Sequence, residues 1–229
     1  MNSIILNNIF FNYDNQTIFK NFNLSLSSYN TYSIMGPCGS GKSTLAKIIA
    51  GIIPYEGEIL VNNELSSDKV ILVNEETNIK VNNIDELLIY FDIEVLKNRE
   101  LSRKDKIVIS LLNALALKRE VLILDNIFNY LDSSFKKKLI KYLKNNNITL
   151  INIVSNEEDT LYTDYLIVLY RGEIAIEGPT LSVFKEEKLI RRLGFNLPFY
   201  VDLSIQLGLY GLLDDIYLNK EAMVKNIWK

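Results

Sequence analysis

Three observations predict an α/β fold with a largely parallel sheet at its centre. The first is Gly36-Pro37-Cys38-Gly39-Ser40-Gly41-Lys42-Ser43-Thr44, set between the apolar run Tyr32–Met35 and the helix-forming run Leu45–Ala50. The second is Val121-Leu122-Ile123-Leu124-Asp125, an apolar run ended by an acid, which suits a parallel strand buried on both faces. The third is that helix-period and strand-like segments interleave between Lys69 and Tyr170.

Taken in order, Ser3–Phe11 and Ile18–Leu26 are rich in Ile, Leu and Phe with partial alternation. Asn12-Tyr13-Asp14-Asn15 turns between them, so they read as antiparallel strands. Gly51 and Pro54 close the helix that begins at Leu45. Gly57–Asn62 and Lys69–Val73 read as further strands. Ile84–Lys97 carries Ile84, Leu87, Leu88, Phe91 and Val95 at helical spacing, with Asp85 and Glu86 in its first turn. Asp105–Lys118 is a second helix and Ser133–Asn146 a basic amphipathic one. Ile148–Val154 and Tyr165–Tyr170 are strands, and Arg171-Gly172 turns the chain into Glu173–Glu177. Beyond Gly178-Pro179 the pattern is helical and Leu-rich as far as Trp228.

The glycine-rich stretch fits G-x-x-x-x-G-K-[ST], and its setting between a strand and a helix is the one the motif requires. Its glycines let backbone N–H groups point inward, and the helix N-terminus adds its positive end. Lys42 then reaches β- and γ-phosphates and the Ser43 hydroxyl ligates Mg²⁺. The motif implies a nucleoside triphosphate site.

Bulk properties narrow the rest. A chain of 229 residues supports one sizeable core and a small appended unit. A net charge of −3 gives no electrostatic argument for nucleic acid, and Lys136-Lys137-Lys138 is a solvated helix face. The single cysteine, Cys38, reads as a small loop filler ahead of the alternative of a reactive thiol; with one cysteine no disulfide framework exists and a reducing cytoplasm is expected. No apolar run approaches the roughly 18 residues of a membrane span, and no signal peptide is visible. Any membrane role then comes through partners. The absence of histidine removes the commonest general base.

The run from Leu101 to Asp132 carries a resemblance. Ser102-Arg103-Lys104-Asp105 opens a helix containing Ala114-Leu115-Ala116-Leu117, followed by Val121–Asp125 and then Tyr130-Leu131-Asp132. Order and spacing resemble the ABC ATPases, whose L-S-G-G-Q signature, Walker B strand and D-loop follow one another in this way. The resemblance implies a P-loop NTPase of RecA-like core with an antiparallel β subdomain, a helical subdomain and ATP with Mg²⁺ as ligands. It places Asp125 at the Walker B position that holds Mg²⁺, Asp132 in the D-loop, and Tyr13 of Phe11-Asn12-Tyr13 against adenine. The tail from Leu193-Gly194-Phe195-Asn196-Leu197-Pro198-Phe199 to Trp228 resembles the C-terminal region of energy-coupling factor (ECF) transporter ATP-binding subunits. Those subunits pair partly through this region and drive membrane proteins that import vitamins or metal ions. The implied organisation is a nucleotide-binding domain over 1–184, its helical subdomain at about 76–118, and a helical dimerisation extension over 185–229. The implied partners are a homologous ATP-binding subunit, in a heterodimer, and a transmembrane subunit, at the cytoplasmic face of the membrane.

Departures from the family pattern fall where hydrolysis is carried. Asn126 stands where the family has the glutamate that polarises water, and Ser155 where it has a histidine. Glu75 replaces the Q-loop glutamine, which leaves two readings: a lost contact or a substitute base. Arg103 and Lys104 replace the signature glycines that face the partner's nucleotide, and only Leu101 and Ser102 of that motif remain. Ser102-Arg103-Lys104-Asp105 is also a capping-box pattern, which explains a retained helix start without a retained contact. The stretch from Glu75 to Leu101 is shorter than the family's helical subdomain. Together these changes imply retained binding and relaxed hydrolysis. A working ATPase using Glu75, and a scaffold in which ATP is structural, are the competing readings. A small-molecule kinase is disfavoured, because Leu101–Asp132 keeps the ABC order.

Overall fold

The computed structural model describes residues 3–14, 16–65, 68–93 and 101–227. Two sheets and a layer of helices build it. In the first sheet, β1 (Ser3–Tyr13) pairs antiparallel with β2 (Gln16–Ser27) and with β4 (Glu56–Val61), and β4 continues to the short β5 (Glu64–Leu65). The second sheet has the order β10-β9-β3-β8-β7-β6, formed by β3 (Thr31–Met35), β6 (Val70–Val73), β7 (Val121–Asp125), β8 (Thr149–Ile153), β9 (Tyr165–Tyr170) and β10 (Glu173–Pro179). All its pairings are parallel except the β9–β10 hairpin. Every residue of β3 and β8 is buried, as expected of strands covered on both faces.

Helix α1 (Lys42–Ile49) fills the space between the two sheets. Leu45, Ile48 and Ile49 are fully buried against Phe19 and Ile59 from one sheet and Ile34 and Ile123 from the other. Burying each such side chain is worth about 1.5–3 kcal/mol, so α1 is fixed firmly beneath the loop that precedes it. The opposite face of the large sheet is covered by α3 (Arg103–Ala116) and α4 (Ser133–Asn145), through Leu111, Leu115, Phe135 and Leu139. A third cluster joins Met35 and Val154 to the C-terminal helices α5 (Thr180–Lys185), α6 (Glu187–Arg192) and α7 (Phe199–Leu209), and α8 (Lys220–Ile227) follows.

The helix expected over Ile84–Lys97 is corrected to α2 (Asp85–Tyr90). Asp92 adopts φ 55° and Ile93 N–H bonds back to the Leu88 carbonyl, which closes the turn. Residues 94–97, with Val95, lie outside the described residues, as do Asn15 and Trp228. The tail is broken into separate helices where Gly194 (φ 90°) and Gly211 (φ 68°) leave the helical region. Among the described residues no helix is long and apolar enough to cross a membrane.

Candidate nucleotide site

The loop Gly36–Gly41 leaves the C-terminal end of β3 and enters α1, the place where open α/β sheets bind ligands. Two glycines are needed there for space. A Cβ at Gly36 would stand 2.4 Å from both the Leu169 carbonyl oxygen and Ser40 Oγ. At Gly41, whose φ is 102°, it would stand 2.8 Å from Phe19 Cζ. The hairpin turn braces the loop from outside, because Gly172 N–H donates to the Ser40 carbonyl at 3.2 Å. Ser40 is buried, whereas Cys38 is exposed.

Lys42 folds back into the loop. Its Nζ donates to the carbonyls of Gly36 at 2.7 Å and Pro37 at 3.0 Å. Burial lowers its pKa, and the neighbouring Cys38 and Asp125 oppose that shift. A half-buried cation favours an anionic ligand. Asp125 ends β7 and lies within electrostatic reach of this ammonium. Ser43 stands in the first turn of α1 and Thr44 follows it. A serine hydroxyl and a carboxylate are hard oxygen donors of the kind Mg²⁺ takes, so the side chains fit an Mg²⁺-nucleotide. Tyr13 is 45% exposed and stands edge-on to Phe11 at 4.7 Å, on the hairpin whose Phe19 reaches Gly41.

Asn126 follows Asp125 in a left-handed conformation, φ 58°, held by its N–H to the Ile153 carbonyl at 3.0 Å. Its Nδ2 donates to Asp125 Oδ1 at 3.0 Å, while its buried Oδ1 has no hydrogen-bond partner. An amide accepts a hydrogen bond but takes no proton at neutral pH. Ser155 lies beyond β8 on the surface, with Asn129 Nδ2 3.4 Å from its Oγ. Asn126 is thus a neutral partner of Asp125, and Asn129 and Ser155, both neutral, pair with each other past the ends of β7 and β8.

Glu75 is engaged within the chain. Arg103 forms an ion pair with its carboxylate, and Tyr130 hydrogen-bonds to it, which raises the tyrosine's pKa together with a smaller burial effect. Ser102 caps α3 in a complete capping box, its Oγ taking Asp105 N–H while Asp105 takes Ser102 N–H. Lys104 is exposed in the first turn of the same helix. Asp132 caps α4 by accepting from Phe135 N–H at 2.9 Å. Each cap contributes about 0.5–2 kcal/mol, a structural use of these side chains that stands whatever else they contact.

Sequence reading missed several contributors. Ser110 Oγ donates to the Thr77 carbonyl at 2.8 Å and Asn113 Oδ1 accepts from Val81 N–H at 2.9 Å, fastening the loop after β6 to α3. Glu157 and Glu158, just past Ser155, accept from Asn196 N–H at 3.1 Å and Phe199 N–H at 2.5 Å. Met35 and Val154, which immediately precede Gly36 and Ser155, share a cluster with Leu197 and Val201 of the tail. None of these partners is local in sequence, so no motif announces them.

A glycine-lined phosphate loop between a parallel strand and a helix, an acid ending the neighbouring strand series, and a flanking antiparallel sheet define a P-loop domain of the ABC type. Residues 19–86 match the family described as ABC transporter. The chain is 28% identical, over 269 residues, to the energy-coupling factor transporter ATP-binding protein EcfA1 of Fusobacterium nucleatum, covering 99% of this chain and 98% of the relative. It is 27% identical over 248 residues to the EcfA1 protein of Leuconostoc mesenteroides, covering 90% of this chain and 91% of the relative. The solved structure of cbiO1 from Clostridium perfringens, part of the ABC transporter complex cbiONQ, superposes with a TM-score of 0.69 at 24% identity, over 85% of this chain and 95% of that one. The chain has the fold and phosphate-loop motif of ABC-type domains, and it is similar to the ATP-binding subunits of ECF transporters. The alignment of 269 residues is longer than this chain of 229, so part of the relative has no counterpart here.

Proposed function

We propose that the chain is a nucleotide-binding subunit of an ECF-type importer, which binds Mg-ATP but hydrolyses it poorly by itself. In this reading Tyr13 stacks on adenine, Gly36–Thr44 encloses the phosphates, and Lys42 exchanges its carbonyl contacts for β- and γ-phosphate oxygens. Ser43 and Asp125 would hold Mg²⁺, which would neutralise charge on the phosphates when bound. The observation that carries the reading is the neutral Asn126 amide bound to Asp125, together with an uncharged Ser155 after β8, in a chain whose phosphate loop is intact. Loss of a general base costs about 10²–10⁴ in rate.

A homologous subunit with a complete site pairs with this chain through the extension, 185–229, while 1–184 is the nucleotide-binding domain and 76–118 its helical subdomain. Leu209, Tyr210 and Leu212 are largely exposed at the end of α7, which supports that surface. A cleft of about 500 Å³ between the loop after β6 and α3, lined by Thr77, Ile79, Lys80, Lys106, Ile107 and Asn113, supports docking of a transmembrane subunit. The complex sits on the cytoplasmic face of the membrane and takes up a vitamin or metal ion. Calorimetric titration with Mg-ATP tests the binding part. Lys42→Ala weakens affinity at least tenfold, and equal affinity in both proteins contradicts the assignment.

A further inference from the structure

Two of the departures from the family pattern touch each other. Glu75 lies two residues past Val73, the last residue of β6, and Val73 is in register with Leu124 of β7. Asp125 is the next residue of β7, so Glu75 and Asp125 stand at the same end of neighbouring strands. That spacing is about 5 Å across the sheet and one residue along it. A free carboxylate at Glu75 would therefore add a second negative charge to the rim of a triphosphate site. Arg103, the first residue of α3, pairs with it instead. Tyr130, in the 3-10 turn Ile127–Tyr130 after β7, hydrogen-bonds to the same carboxylate from another side.

We propose that Arg103 is a positioning residue of its own chain's nucleotide site: it neutralises Glu75 and, with Tyr130, holds that carboxylate at the rim. The inference rests on the nucleotide-binding reading above and adds a role opposite in direction to the one the resemblance implies. Arg103 serves the site in its own chain, and the exposed Lys104 is the remaining signature-position cation directed outward. The two replacements then form one compensated unit. A glutamate alone would repel phosphate, and an arginine alone would leave an unpaired cation at the start of α3, where the helix dipole disfavours it.

The test is a Mg-ATP binding cycle on the full chain with Arg103→Ala, Glu75→Gln and the double variant, at 0.01 M and 0.15 M salt. The Ser102–Asp105 capping box is untouched, and circular dichroism confirms that each variant folds. Arg103→Ala is expected to weaken binding about threefold at low salt. Glu75→Gln is expected to tighten it slightly, and the double variant to return within about 1.5-fold of the starting value. The differences shrink at 0.15 M, where the screening length falls from about 30 to about 8 Å. If Arg103→Ala weakens binding equally with and without Glu75→Gln, Arg103 contacts phosphate itself and the proposal is overturned. No effect of Arg103→Ala overturns it too, leaving the nucleotide-binding reading intact. Failure of the unaltered chain to bind Mg-ATP removes both.

Discussion

Asn152 shows how a single residue can run against its surroundings. It lies in β8, between Ser33 of β3 and Leu124 of β7, and is fully buried. Neither its Nδ2 nor its Oδ1 has a hydrogen-bond partner. An unpaired buried amide costs about 1–3 kcal/mol, and a β-branched apolar side chain suits the strand. Asn152→Val is therefore expected to raise stability by about 1–3 kcal/mol in denaturant unfolding. A loss of stability would mean that the amide is paired in the folded chain. Asn126, at the end of β7, differs in kind: its Nδ2 binds Asp125 while its conformation, φ 58°, is one that asparagine tolerates better than most residues. Its backbone N–H holds the strand end to the Ile153 carbonyl while its side chain binds Asp125.

Among elements, the junction at Asp164 responds to pH. Its carboxylate accepts from Thr31 Oγ1 at 2.7 Å at the start of β3 and pairs with Lys144 at 2.7 Å in the last turn of α4. Its backbone carbonyl accepts from Thr180 N–H at the start of α5. Burial alone would raise the Asp164 pKa, but the bonds from Lys144 and Thr31 outweigh it and the net shift is downward. A lowered folded value means that the unfolded chain takes up the proton first as pH falls. The stabilisation is thus complete above the ordinary value of 3.8 and is lost as pH falls through it towards the folded value. Asp164→Asn should lower the melting temperature at pH 7, and the gap to the unaltered chain should close towards pH 3. A gap that stays constant across that range would show that the carboxylate charge is not what holds the junction.

Elements were legible in sequence wherever the signal was local. The phosphate loop between strand and helix, the run at β7, the Ser102 cap of α3 and the β9–β10 hairpin all rest on neighbouring residues. The two-residue β5 and the 3-10 turn Ile127–Tyr130 carry too few residues to show a period. Helix α2 stops at Tyr90 because Asp92 turns left-handed, which the apolar spacing through Phe91 does not foretell. The pairing of Glu75 with Arg103, and of Glu158 with Phe199, joins residues 28 and 41 positions apart. Such contacts follow from the way sheet and helices stack, and a motif reads only along the chain.

For the molecule as a whole, the proposed function separates holding a nucleotide from cleaving it. The antiparallel sheet, α1 and the large sheet meet in one apolar cluster beneath the phosphate loop. The tail packs against Met35 and Val154, beside the loop and beside Ser155, so the extension and the site share a second cluster. Asp125 has the neutral Asn126 amide on one oxygen and the Lys42 ammonium within electrostatic reach, and the nearby carboxylate of Glu75 is occupied by Arg103 and Tyr130. On the proposed reading neither Asn126 nor Ser155 serves as a base toward water, and the nucleotide persists on the subunit. The most direct measurement is a single-turnover incubation of the purified chain, in excess over Mg-ATP, followed by quenching and chromatography of the bound nucleotide. The account predicts that the nucleotide is retained by the protein and recovered as ATP after many minutes. Recovery as ADP and phosphate, or no retention at all, would contradict it.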